Sequence, residues 1–225
     1  MLQATVFLVP LLVSAAPLRV SLDRNYPPFA FRNADGKLEG YSVDLWRLWE
    51  QKTGRKVELH PVEWPSVQPM LLSGQVDMAD TIFRTQSRTG HLDFSTSYAV
   101  VATSIYADTS IAGIHDSASL RGFEVAMQAG DACVERLQRI GGIGVRVFAT
   151  YQGLREALAE RRVKLLCRDD YAANYDLYRL GVHERYVKAF ELGRSELRRA
   201  VRKGDTATLA LVERGMAQIT PAELD

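Results

Sequence analysis

The chain of 225 residues is short of several things, and each shortage removes a class of function. Excess positive charge is missing: 28 Lys and Arg stand against 27 Asp and Glu, a formal charge of +1, which leaves no electrostatic footprint for a nucleic-acid partner. No run reaches the roughly 20 apolar residues that a membrane-spanning helix needs. Cysteine is down to two, Cys133 and Cys167. Neither sits in a C-x-x-C and no histidine stands close by, so the spacing of a zinc site is absent and no metal or cofactor is expected. There is no repeat of solenoid type and no low-complexity linker. What remains is an ordinary composition, 47% hydrophobic and 24% charged, long enough for one sizeable core or two small ones.

The amino terminus stands apart. ATVFLVPLLVSAA is a short apolar run closing on small residues, with Val13 and Ala15 where a signal peptidase would want them; it reads as a secretory signal over residues 1–16. Met1-Leu2-Gln3 carries no Lys or Arg, and a buried first strand is the alternative. Export changes what the cysteines mean. In an oxidising compartment Cys133 and Cys167 become a candidate disulfide; in the cytosol they would be two small buried hydrophobes.

From Leu18 onward strands and helices alternate. LRVSLD is a short strand, and the prolines of NYPPF force an extended exit from it. EGYSVDLWRLWEQKTG is an amphipathic helix with Ser42 as N-cap, apolar side chains at Leu45, Leu48 and Trp49, and Gly54 at its end. KVELHPVEW is a strand, SVQPMLLSGQ a short helix and VDMADTI a buried strand. Arg84 and Arg88 therefore lie just past a strand's carboxyl end, where open α/β sheets place their ligands. AVVATSIYA (99–107) leads into a second round: the strand FEVAMQAG, the helix DACVERLQRIGG with Asp131 as N-cap, then VRVFAT, YQGLREALAERR, VKLLC and RDDYAANYDLYRLG. RSELRRAVRKGD reads as a solvated strand and turn, and ATLALVERGMAQI as the last helix. Two α/β lobes of roughly ninety residues each are implied.

Seven segments in series carry a resemblance: YPPF, GYSVDL, a Trp followed by LLSGQVD, FRTQSR with DFSTSY, QAGDAC, CRDD and AVRKGD. Together they resemble the bacterial extracytoplasmic solute-binding proteins of the polar-amino-acid type, over nearly everything from Leu18 onward. GDAC and CRDD, with FRT in place of a hydroxyl-rich loop, look closer to the relatives that serve as periplasmic sensor domains. The resemblance implies an α/β clamshell of two lobes whose chain crosses between them twice, with ligand in the cleft. It puts lobe 1 at 17–102, lobe 2 at 103–192 and a return to lobe 1 at 193–225.

Carried over residue by residue, the resemblance makes Arg88 the grip on a ligand α-carboxylate, a task suited to a planar guanidinium. Tyr26 and Trp64 would sandwich the ligand, and Asp169, rather than its neighbour Asp170, would meet the α-amino group. Gly130 would let backbone come close to the ligand. The expected set also takes in Asp23, Asp80, Thr81, Phe83 and Asp131. Asp80, Phe83 and Asp131 stand where the family often has small or hydroxyl residues, which makes the pocket acid-rich and favours an amine-bearing ligand. Arg84 is left open between pocket rim and solvent. Cys133, early in one helix, and Cys167, at the end of a strand, fall on the cleft side of one sheet and are expected to be bonded within lobe 2.

The function expected is periplasmic binding of a small amino-acid-like solute without catalysis, for uptake through an ABC-transporter permease or for sensing by membrane-tethered signalling domains. An enzyme of the cyclohexadienyl or arogenate dehydratase kind is the alternative, with Asp80 or Asp131 as proton donor. A third reading is an interaction domain that stays permanently closed.

Overall fold

The computed structural model describes residues 16–224; the secretory-signal reading lies outside them except for Ala16. The first half of the chain runs through β1 (Leu18–Asp23), β2 (Asn25–Tyr26), β3 (Ala30–Arg32), β4 (Leu38–Glu39), α1 (Tyr41–Thr53), β5 (Val57–Val62), α2 (Trp64–Leu72), β6 (Met78–Phe83), α3 (Gln86–Thr89) and β7 (Leu92–Phe94). The second half runs through β8 (Ala99–Asp108), β9 (Glu124–Gln128), α4 (Ala132–Ile140), β10 (Gly144–Phe148), α5 (Tyr151–Ala159), β11 (Leu165–Asp169), α6 (Asp170–Arg179), β12 (Tyr186–Arg202) and α7 (Thr206–Met216). Among the described residues no helix is long and apolar enough to cross a membrane.

One sheet ties both halves together in the order β10-β9-β11-β8-β12-β6-β1-β5, with β7 paired to β12. It consists of two parallel blocks, β5-β1-β6 and β10-β9-β11, joined by the long antiparallel ladder of β8 and β12 from Ala99↔Leu197 to Tyr186↔Asp108. These two strands are the passages between lobes. The first lobe packs around Trp46 and Trp49 of α1 with Leu18, Val20, Leu22 and Val212. The second has a core on each face of its sheet, one around Leu154, Leu166, Leu177 and Tyr186 and one around Met127, Leu137 and Leu165. Cys133 and Cys167 lie in the latter and form a disulfide with Cα atoms 6.3 Å apart, within the span such a bond bridges.

Two local expectations fail for physical reasons. The N-cap of α1 is Gly40, not Ser42: its φ of 126° suits glycine, and a Cβ there would sit 2.5 Å from the Phe29 carbonyl oxygen. Ser42 is buried two residues further in, against the Tyr98 hydroxyl at 3.2 Å. RSELRRAVRKGD is no solvated surface either. Its residues through Arg202 extend β12 into the middle of the sheet, pairing with β6, β7 and β8, and Leu197, Ala200 and Val201 are fully buried. Its charge misleads because Arg199 is buried too, stacked between the rings of Trp46 and Tyr98 with its Nε 3.7 Å from Asp80.

Candidate functional site

The carboxyl ends of the two parallel blocks face each other. From the first lobe β1 delivers Asp23, the turn after it Tyr26, the start of α2 Trp64, the end of β6 Thr81 and Phe83, and α3 Arg88; from the second come Asp131 and Ala132 at the start of α4, Tyr151 at the start of α5 and Asp169 at the end of β11. These ten residues line a cavity of about 30 Å³, room for about two water molecules. The cleft is closed upon itself. Tyr26 Oη donates to Asp169 across it at 2.7 Å, Ser87 Oγ to Glu135 at 2.9 Å, and Phe29 meets Tyr171 edge to face.

Arg88 is 7% exposed. Its Nη1 donates to the Phe83 carbonyl at 2.8 Å, and its Nη2 crosses the cleft to the Gly130 carbonyl, also at 2.8 Å. The guanidinium lies over the Trp64 ring, 5.2 Å from its centroid. Two of its five N–H groups are thereby used, so a fork remains for a further acceptor. Burial pulls its pKa below the ordinary value, against the charges of Asp131 and Glu135.

Three carboxyls line the same cavity. Asp169 accepts from Tyr26 and, at 2.6 Å, from the Thr103 hydroxyl; burial and the charge of Asp131 push it up to about 6 in spite of those bonds. Asp23 accepts the Asn25 N–H at 2.9 Å, and burial pushes it up to about 7. Asp131 caps α4 by accepting the Cys133 N–H at 2.7 Å; burial raises it too, opposed by that bond and by Arg168, Arg88 and Arg136. Among the described residues no three His, Cys, Asp or Glu side chains are grouped to hold a metal ion.

Asp80 does not join them. Ala79 and Ile82 of β6 pair with Ala200 and Arg198 of β12, so two residues of β6 oppose the single Arg199 in a bulge. The bulge turns Thr81 to the cavity with a left-handed φ of 58° and Asp80 into the lobe. There Asp80 accepts Trp46 Nε1–H at 2.7 Å and the Tyr98 hydroxyl at 2.8 Å. Gly130 is displaced in role as well: its carbonyl holds Arg88, and its α-carbon faces Trp64 rather than the cavity. Arg84 is exposed in a separate groove with Arg136 and Arg139.

Sequence reasoning missed Tyr151 and Arg168. The rule that found Arg88 would have found Tyr151, which follows the end of β10 and its N-cap Thr150. Arg168 sits within a strand, yet it is buried under the Tyr151 ring at 4.0 Å and held by Asp176 at 2.7 Å; nothing in its spacing marks it.

Known proteins share this fold. The L-cystine-binding protein TcyJ of Escherichia coli (strain K12) is 28% identical over 209 residues, covering 90% of this chain and 77% of that protein. A histidine kinase sensor domain with similarity to periplasmic binding proteins superposes with a TM-score of 0.83 at 26% identity, over 91% of this chain and 90% of that one. An ancestral arginine-binding protein bound to arginine gives 0.82 at 25% identity, over 91% and 92%. The family model of the bacterial extracellular solute-binding proteins, family 3, matches residues 18–224, all but the first two of the residues the structure describes, and the chain belongs to that family.

Proposed function

We propose that this chain is a periplasmic receptor that closes its lobes, 17–102 with 193–225 and 103–192, around an amino-acid-like solute, and hands the closed state to an ABC-transporter permease or to signalling domains. The observation that carries the reading is a buried guanidinium and a buried carboxyl, Arg88 and Asp169, contributed to one cavity by opposite lobes. An α-amino acid presents the complementary pair. Its carboxylate fits the free fork of Arg88 and its ammonium fits the lone pairs that Tyr26 and Thr103 leave on Asp169. A solute that touches both lobes binds the closed state better than the open one, which is what drives closure. The named ligands of its relatives, L-cystine and arginine, are of this class.

The enzymatic alternative loses its donors. Asp80 is tied to Trp46 and Tyr98 away from the cavity, and Asp131 is engaged in capping α4. Thermal-shift screening with an amino-acid panel, followed by calorimetry on wild type, Arg88→Ala and Asp169→Asn, tests the reading. Binding lost in Arg88→Ala and weakened in Asp169→Asn supports it; a panel with no binder, or a binder indifferent to both changes, rejects it.

A further inference from the structure

Arg199 is 4% exposed and lies away from the cleft, and the fold gives its guanidinium rings to stack on but no acceptors. Its carbon lies 5.1 Å from the centroid of the Trp46 ring and 4.4 Å from that of Tyr98. A guanidinium donates in its own plane, so neither ring takes up its N–H groups. Asp80 supplies the balancing charge with an oxygen 3.7 Å from Nε, which is beyond hydrogen-bond length. Among the described residues nothing accepts from Nε or Nη2, and both are sealed from solvent. Asp80 is in the opposite condition: its carboxylate accepts Trp46 Nε1–H at 2.7 Å, the Tyr98 hydroxyl at 2.8 Å and the Thr81 N–H at 2.6 Å. The pair is balanced in charge and lopsided in hydrogen bonding, and buried donors without acceptors are unfavourable.

The same guanidinium forms part of the wall of a second cavity, of about 180 Å³. With Nε and Nη2 sealed, Nη1 is the nitrogen left to face it. Tyr41 and Leu45 of α1, Tyr98, Met216 of α7, and Ile219 and Leu224 beyond that helix make the rest of the wall. This lining is mostly apolar, which suits the body of a ligand better than it suits water. Pockets for drug-sized ligands run to about 300–1,000 Å³, so this one takes a body about the size of a single ring. Tyr98 leads into β8 and Arg199 belongs to β12. The cavity therefore sits at the root of the two strands that join the lobes, not between the lobes.

We infer that this cavity is a second binding site, for a small uncharged molecule that carries an amide or ketone oxygen on an apolar body. The oxygen accepts from the Arg199 guanidinium, and the body packs among Leu45, Met216 and Ile219. Charge decides against a carboxylate: Asp80 already balances Arg199, and a second anion beside the pair would lose water without gaining a counter-charge. The site uses none of the residues that line the cleft and goes beyond the amino-acid reading.

The test is NMR of the full chain labelled at its methionine methyl groups, with the Met216 signal assigned through Met216→Leu. Benzamide, one ring bearing an uncharged amide, should shift that signal saturably at millimolar concentrations. Benzoate, the same ring with a charged acceptor, should bind about tenfold more weakly or worse. Arg199→Lys keeps the charge that Asp80 needs but withdraws the planar fork, and Ile219→Trp fills the cavity from its wall; each should weaken benzamide about tenfold or more. Near-ultraviolet circular dichroism checks that both variants are folded. An amino acid found by the screen described above should leave the benzamide titration unchanged. No saturable shift, binding of benzoate as tight as that of benzamide, an affinity that survives in whichever variants fold, or displacement of benzamide by that amino acid each overturns the inference, and each leaves an amino-acid receptor standing. A screen that finds no amino-acid ligand rejects the receptor reading and leaves the Met216 titration to decide this one by itself.

Discussion

Replacing Arg88 by alanine removes two different things, and the structure separates them. The first is the hydrogen bond from Nη2 to the Gly130 carbonyl, which joins the lobes at 2.8 Å. A bond from a charged donor is worth about 1.5–3 kcal/mol, so the closing equilibrium of the free protein should shift toward open by roughly tenfold to 150-fold. The second is the grip on the ligand's carboxylate that the proposed function assigns to it. Stranding that anion in a closed cleft costs on the order of 2–5 kcal/mol, or roughly 30-fold to several-thousand-fold in affinity. Small-angle scattering of the ligand-free variant reads the first contribution as a larger radius of gyration, and calorimetry reads the second. Arg88→Lys should recover part of the first and little of the second, because one ammonium cannot serve two carbonyls and a forked carboxylate together. If Arg88→Ala bound as tightly as wild type while Arg84→Ala did not, the site would have to be rebuilt around Arg84 in its outer groove.

Three other outcomes are expected. Without ligand, closure should respond to pH: Asp23 and Asp169 are raised to about 7 and about 6 from an ordinary 3.8, so the closed form is favoured with both protonated and loses stability as pH rises through 6 and 7. The ligand-free protein should therefore scatter as a more compact particle at pH 5 than at pH 8, and a radius indifferent to pH contradicts the assignment. The disulfide closes a loop with a sequence separation of 34, worth about 4 kcal/mol in the chain-entropy model; the double variant Cys133→Ala, Cys167→Ala should lose that much in urea unfolding, and an unchanged midpoint with unchanged slope would count against it. Gly215→Ala should destabilise by about 1–3 kcal/mol, because a Cβ there would collide with Trp49 Nε1, which donates to the Val212 carbonyl in the packing of α7 on α1; a blue-shifted or quenched tryptophan signal should accompany the loss, with ligand affinity unaffected.

The alternation of strand and helix was legible because each element carries its own period and punctuation: VDMADTI reads as a fully buried strand, and Asp131 as the cap it is. Position past a strand end brought Arg84 and Arg88 forward together; the resemblance was needed to choose Arg88 and to reach Asp169, Tyr26 and Trp64, and the even cysteine count to suggest the disulfide. What could not be read depends on the third dimension. The bulge that sends Asp80 inward and Thr81 outward is set by the single residue Arg199 far along the chain, and strict alternation through β6 does not reveal it. The arginine-rich RSELRRAVRK hides a central strand because the partners of Arg199, two aromatic rings and a carboxyl, come from three other segments. Arg168 was invisible for the same reason, its contacts with Tyr151 and Asp176 coming from other segments.

The ladder of β8 and β12 has a consequence for the order in which the chain is made. The second lobe is an insertion: all of β9 to α6 is synthesised before Arg198 is available to pair with Ile82 of β6. Until then β6, every residue of which is buried in the finished protein, has an open hydrogen-bonding edge on that side, and the first lobe also lacks α7 to cover Trp49. The second lobe's own block, β10-β9-β11, draws on strands close together in sequence and needs from β12 only its early half. Local pairings form faster than distant ones, so the part of the molecule that begins first is completed last. During that interval the exposed edge of β6 is where a nascent or refolding chain is most open to joining another copy of itself.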